Sequence, residues 1–162
     1  MAIKLPLVMS VAGDIQQLQS GDQITVLTSQ LDVRLVSNGE ASVALVIGTP
    51  AYVFAAGSVK RAQANALATA RVFGLWVDAS TAAAGTGNVG MNGLLVATTA
   101  QWDAVTGQTG GLTSGSAYFV DSATVGKLTT TAPTTAGQVV SVVGIALSTT
   151  DMEINVQRPI LL

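Results

Sequence analysis

The side chains able to carry acid, base or nucleophilic chemistry are few. The chain of 162 residues has no histidine and no cysteine, so the commonest general base and the commonest thiol nucleophile are both missing. Its carboxylates are two glutamates, Glu40 and Glu153, and seven aspartates. Asp14, Asp22, Asp121 and Asp151 lie in turn-rich stretches, where an aspartate hydrogen-bonds its own backbone and helps the chain reverse. No two carboxylates have a spacing that demands a shared acid–base site, which argues against glycoside hydrolysis. Lys60 and Lys127, with the chain's many serines and threonines, are the raw material of a Ser–Lys dyad. No motif fixes such a pair, and both lysines are expected on the surface of hairpins. The stretch GTGNVG (85–90) has the glycines of a phosphate loop but neither its Gly-Lys-Ser/Thr nor its flanking strand and helix. Its glycines are taken as turn makers. The expectation is a chain that is not an enzyme and holds no metal and no cofactor.

Composition points the same way. Hydrophobic residues make up 49% of the chain, aromatic residues 4% and charged residues 10%, against roughly 25% charged in an ordinary globular protein. A free monomer usually keeps its surface charged. A surface of Thr, Ser, Ala and Gly fits a protein that lives packed against copies of itself or a larger body. The net charge is −2, and only Lys60-Arg61 are adjacent among seven basic residues. Binding nucleic acid takes a basic face with several phosphate contacts, so no nucleic-acid partner is expected. No stretch approaches the roughly 20 apolar residues of a membrane span, so no membrane partner is expected either. The opening MAIKLPLVMS is too short and too broken by Pro6 for a signal peptide.

Short strands with turn residues between them run along most of the chain, the all-β signature. The expected architecture is a compact barrel or sandwich preceded by an extended N-terminal arm. Residues 1–40 form the arm and first hairpin strand, and 41–162 form the barrel or sandwich. In LDVRLV, Leu31, Val33 and Leu35 alternate with Asp32 and Arg34, the period of a half-buried strand. Asn38-Gly39 then reads as a hairpin turn leading into SVALVI, so 31–47 is predicted to be a hairpin. The stretch TTAQWDAVTG predicts a short helix with Thr99 as its cap. Trp102 and Val105 share its inner face, and Gly107, Gly110 and Gly111 end it.

A weak internal repeat spans 51–98 and 117–162. Ala51-Tyr52 matches Ala117-Tyr118, and VFGL (72–75) matches VVGI (142–145). The repeat decides one ambiguity. RAQANALATARV (61–72) is Ala-rich and helix-prone, but its counterpart contains Pro133 and Gly137, so it is read as a loop with at most one helical turn. Gly74 and Gly144 fall inside apolar strands, where glycine marks a bulge, a bend or a close backbone approach. They are expected to bend the strand in both copies. Trp76, Trp102, Tyr52 and Tyr118 are read as core or interface anchors, core packing being favoured, with the tyrosine hydroxyls at the barrel rim. Ile160, Leu161 and Leu162 follow the last charge, Arg158. Chain ends fray unless something ties them down. They are expected to dock on their own body or on a neighbour, as is the other apolar segment, with Ile3, Leu5, Leu7 and Val8.

Several motifs in the C-terminal part resemble those of tailed-bacteriophage virion proteins. They are Trp102 to Gly107, Gly110 to Tyr118, Gly126 to Thr130, Val143 to Ser148 and Pro159 to Leu162. The opening MAIKLPLV and IQQLQSGD look like the start of phage structural proteins. Ile47 to Val53 and Val72 to Asp78 are similar in style to small capsid-decoration proteins. Such modules are shared among head, fibre and tail proteins. The resemblance implies a β-rich homotrimer on the outside of a head or attached to a fibre or tail, made in the host bacterial cytoplasm. Its implied partners are itself and the major capsid protein or another virion protein. It also implies that Ile160 to Leu162 are buried where trimer strands meet, or where the trimer meets its support. The leading expectation is a capsid decoration (cement) protein that stabilises the shell by non-covalent contact. A tail, baseplate or fibre-base component is the second reading. A carbohydrate-binding module is a remote third, for which seven aromatic residues are few.

Overall fold

The computed structural model describes residues 31–162 and two short strands before them. Strands make up 43% of the chain and helix 9%, the all-β class expected. In chain order the elements are β1 (Leu7–Met9), β2 (Ile15–Gln17), β3 (Asp32–Asn38), β4 (Leu45–Val46), β5 (Pro50–Ala55), β6 (Ser58–Arg61), α1 (Leu67–Ala70), β7 (Val72–Trp76), β8 (Ser80–Thr81), β9 (Thr86–Val96), α2 (Thr99–Thr106), β10 (Ala117–Val120), β11 (Leu128–Thr129), β12 (Val139–Val140), β13 (Val142–Ala146), β14 (Asp151–Asn155) and β15 (Ile160–Leu161). β1 and β2 pair antiparallel. The rest of the predicted arm up to residue 30 lies outside the described residues.

Five strands close into a barrel in the order β9-β3-β6-β5-β7, with β7 returning to β9. All pairs are antiparallel except β3 with β6. The barrel interior holds Ala51, Val59, Trp76 and Val89, with Leu45 of β4 packed in beside them. β9 is long enough to serve a second sheet. Its Asn92 faces Asp32 across one edge and Asn155 across the other. Its Gly90 faces Val33 and Leu75 in the same way. A strand residue has only two edges, so β7 and β14 lie end to end along one side of β9 and β3 runs along the other. From β14 the second sheet continues through β13 and β10 to β11.

The strand order therefore occurs twice. The barrel runs β3-β9-β7-β5-β6, and the second unit runs β9-β14-β13-β10-β11. The first closes through a parallel β3–β6 seam. In the second, β11 pairs with β10 alone, and α2 packs beside β11. The larger core joins the units. Leu75 and Tyr52 from the barrel's outer wall pack with Tyr118, Val143, Met152 and Ile154 from the second sheet.

The segment 61–72 has the predicted form, a single helical turn at α1. Tertiary bonds override its helix propensity. The Ala64 amide donates to Asp121 O (3.0 Å), and its carbonyl accepts from the Val139 amide (2.9 Å).

Three local expectations are corrected. The segment 31–47 is not a hairpin, because β3 pairs with β9 and β6 while β4 pairs with β8. A two-residue hairpin turn needs positive φ at Asn-Gly, and neither Asn38 nor Gly39 has it. Asn38 is instead buried, donating from Nδ2 to Val43 O (2.9 Å) and Thr81 O (3.0 Å). The half-buried alternation of β3 also fails, since Val33 and Leu35 are exposed, Leu35 at 71%. Finally, the glycines of 85–90 are not all turn makers, because Gly87 and Gly90 belong to β9. A Cβ on Gly87 would lie 2.3 Å from Asp78 Oδ2 and 2.4 Å from Trp76 Cζ2, and one on Gly90 would lie 2.9 Å from Leu31 Cδ1. These strand glycines make room for neighbours.

Candidate functional site

The polar residues gather at the barrel seam. Ser37 N donates to Gly57 O and Gly39 N to Val59 O, both at 2.8 Å. The next amide along β6, that of Arg61, donates to Glu40 Oε1 (3.0 Å), and Arg61 Nε donates to the same oxygen (3.1 Å). A carboxylate thus supplies the third rung of the parallel seam. Burial alone pushes the Glu40 carboxyl up. The hydrogen bonds from the Arg61 amide and guanidinium, with the charges of Arg61 and Lys60, outweigh this and hold it below its usual range. A cleft of about 160 Å³ opens beside the seam, lined in part by Thr49, Arg61 and Lys127. Lys127 Nζ donates to Ala104 O at its edge. A second, apolar cleft of about 220 Å³ lies between Val46-Ile47 and the Ala100-Gln101-Ala104 side of α2. Among the described residues no three His, Cys, Asp or Glu side chains gather as a metal site.

The predicted anchor residues occupy different cores. Trp76 and Trp102 are both fully buried. Trp102 Nε1 donates to Thr150 O (2.8 Å), whereas Trp76 Nε1, inside the barrel, has no partner among the described residues. Tyr118 lies in the second sheet, and its hydroxyl is not at a barrel rim. It donates to Gln108 Oε1 (2.7 Å) and accepts from the Thr113 amide (2.8 Å). Tyr52 is half-buried against the larger core. The helix cap is Thr98, not Thr99. Its Oγ1 accepts from the Gln101 amide, while Gln101 Oε1 accepts from the Thr98 amide, so one residue earlier forms the complete capping box.

Gly74 and Gly144 occupy equivalent places. A Cβ on Gly74 would lie 2.2 Å from Gly90 O, and one on Gly144 would lie 2.2 Å from Glu153 O. A register shift immediately precedes each, at Phe73 opposite Ala51/Tyr52 and at Val143 opposite Tyr118/Phe119.

Besides Val33 and Val125, the exposed large hydrophobic side chains fall into three sets. One set lies on the barrel strands, with Leu35 on β3 and Val53 and Phe54 on β5, where Lys60 Nζ lies 3.7 Å from the Phe54 ring centroid. A second is β15 with its neighbour, where Ile160, Leu161 and Leu162 are 63%, 56% and 44% exposed. Their backbone is tied to β12, with Val139 opposite Leu161 and Val140 opposite Ile160. The third is the outer face of the second sheet, where Val96, Ile145 and Leu147 are exposed. Of the other predicted contact residues, Ile3 and Leu5 lie outside the described residues. Leu7 and Val8 fall in β1, whose side chains also lie outside them.

The third group carries no prediction from sequence. In GIALS, Gly144 and Ala146 face the core while Ile145 and Leu147 face out. Hydrophobicity alone assigns the larger pair inward. The two small residues beside them were the signal. No protein-family model, curated protein or solved structure matches the chain.

Proposed function

We propose that this chain is a structural protein of a tailed-bacteriophage virion. Its work is assembly, as a decoration protein that oligomerises, in the leading reading as a trimer, on the outside of the head. It stabilises the shell by non-covalent contact with the major capsid protein. The observation that carries the reading is the exposure of large aliphatic side chains on separate surfaces of a chain with very little charge. Contiguous exposed apolar surface on a soluble protein marks interaction sites, and a stable interface buries roughly 1,200–2,000 Å². The motifs from Trp102 to Leu162 support the phage setting. Homo-oligomers with closed symmetry are the commonest soluble assemblies, which supports a symmetric building block.

The test is gold-tagged antibody against this protein on purified virions. Gold over the whole head is expected. Gold confined to the tail or a vertex assigns the protein to the tail, baseplate or fibre base and removes the cement mechanism. As a second readout, heads stripped of the protein should lose resistance to heat and chelator.

A further inference from the structure

We propose that β15 of one copy docks on the outer face of β9, β14 and β13 of a second copy, with Arg158 placed against Glu153. The receiving face is a small grid. Ile145, Glu153 and Leu94 stand directly opposite one another across three strands. In the next row, Asp151 faces Val96, and the Leu147 amide donates to Asp151 O (2.8 Å). Aliphatic side chains thus flank a central line of two carboxylates. Asp151 accepts from the Ser148 and Thr150 hydroxyls. Glu153 is exposed and, among the described residues, has no cation beside it.

The other patch has the complementary character. Arg158 is exposed, and the described ion pairs are Arg34–Asp32 and Arg61–Glu40 only. Ile160, Leu161 and Leu162 follow it, all exposed. A single cation leading an aliphatic strand matches a face with aliphatic flanks and an acidic centre. Charge complementarity of this kind fixes register and partner choice.

The occupant comes from another molecule. β15 is held on its own β12 by strand pairing, by Leu162 N donating to Gln138 O (3.0 Å) and by Gly137 N donating to Leu162 O (2.9 Å). Kept there, it cannot also lie across its own β13–β14–β9 face. Each copy carries one donor strand and one receiving face, so the contact is heterologous. Repeating it closes a ring when the rotation per copy divides a full turn.

The inference rests on the reading of the chain as a self-assembling building block. It is tested on the purified full chain by sedimentation equilibrium, with R158E, E153R and the double variant. Both positions are exposed, and circular dichroism checks that each variant keeps the fold. Wild type is expected to self-associate. Each single reversal should weaken association about tenfold or more, the double variant should recover most of it, and high salt should narrow the gap. A wild type that stays monomeric overturns the docking, as does self-association indifferent to both reversals or a double variant that does not recover. Binding to heads lacking the protein separates the two readings. Monomers that still coat heads leave the decoration reading standing without this contact. Oligomers that ignore heads leave the contact standing without decoration.

Discussion

The two five-stranded units solve one problem by different means. The barrel closes on itself through the parallel β3–β6 seam, with Glu40 supplying a rung that the backbone does not. The second unit stays open between β9 and β11, and α2 brings Trp102 and Val105 into its core. Their tryptophans differ accordingly. Trp102 projects from α2 to the β13–β14 turn, where the Thr150 carbonyl accepts its N–H together with the Ala97 amide. Trp76 is ringed by strands whose backbone groups pair with one another, and its N–H has no partner among the described residues. Closure satisfies backbone groups at the expense of a side-chain donor. Openness leaves the Thr150 carbonyl, which also accepts from the Ala97 amide, within reach of a side-chain donor.

The strongest test of this equivalence is to substitute its two glycines. Gly74→Val and Gly144→Val each drive a side chain into a backbone carbonyl, and each should cost about 3 kcal/mol or more in urea unfolding. Similar losses support the units as structural counterparts. Full tolerance at one site breaks the comparison.

The tryptophans sharpen it next. Trp102→Phe removes a formed hydrogen bond to Thr150 O, which keeps its bond from the Ala97 amide, whereas Trp76→Phe removes a donor that has no partner among the described residues. The first should therefore be more destabilising than the second by about 1 kcal/mol, the net worth of one hydrogen bond, read from the same unfolding curves. Equal costs contradict the contrast between the cores.

Thr98→Ala removes the capping box that anchors α2 and should cost about 1 kcal/mol of thermal stability. Hydrogen exchange is expected to rise in the second unit and not in the barrel. Protection lost equally in both would mean that the helix does not serve the open side alone.

The smallest effect concerns pH and the closed side. The Arg61 hydrogen bonds and charge hold the folded pKa of Glu40 below the ordinary glutamate value. Its contribution is therefore fully present above the unfolded pKa and is lost as pH falls through the lower folded value. Melting temperature should fall with acid more steeply in wild type than in Glu40→Gln. Parallel slopes would show that the seam does not depend on the carboxylate.

Much of this fold is legible in sequence because it is written locally. Turn residues, β-branched runs and the AY…VxG recurrence locate most strands. The recurrence also keeps 61–72 from being read as a long helix. What escapes is set at long range. Whether Asn38-Gly39 turns a hairpin or passes into a parallel seam depends on Val43, Thr81 and Val59, which local pattern does not bring near. The glycines of β9 look like loop residues until Trp76, Asp78 and Leu31 are seen against them. The outward face of β13 was hidden because period two marks two faces without saying which is wet. The exposed apolar surface was legible only where apolar residues cluster in sequence, at 160–162. Where strands bring them together, at Val96, Ile145 and Leu147, it was not.

Long-range strand pairings wait on loop closure, and domains generally form from the N-terminal side as the chain is made. β3 has no antiparallel partner until the ribosome has produced β9, so the first unit closes late in its own synthesis. At that moment the edge that receives β14 is already built. The second half then grows on a finished template, while the first half had none. A fragment ending just after β9 keeps every strand of the barrel, whereas one beginning after β9 lacks the strand on which its sheet starts.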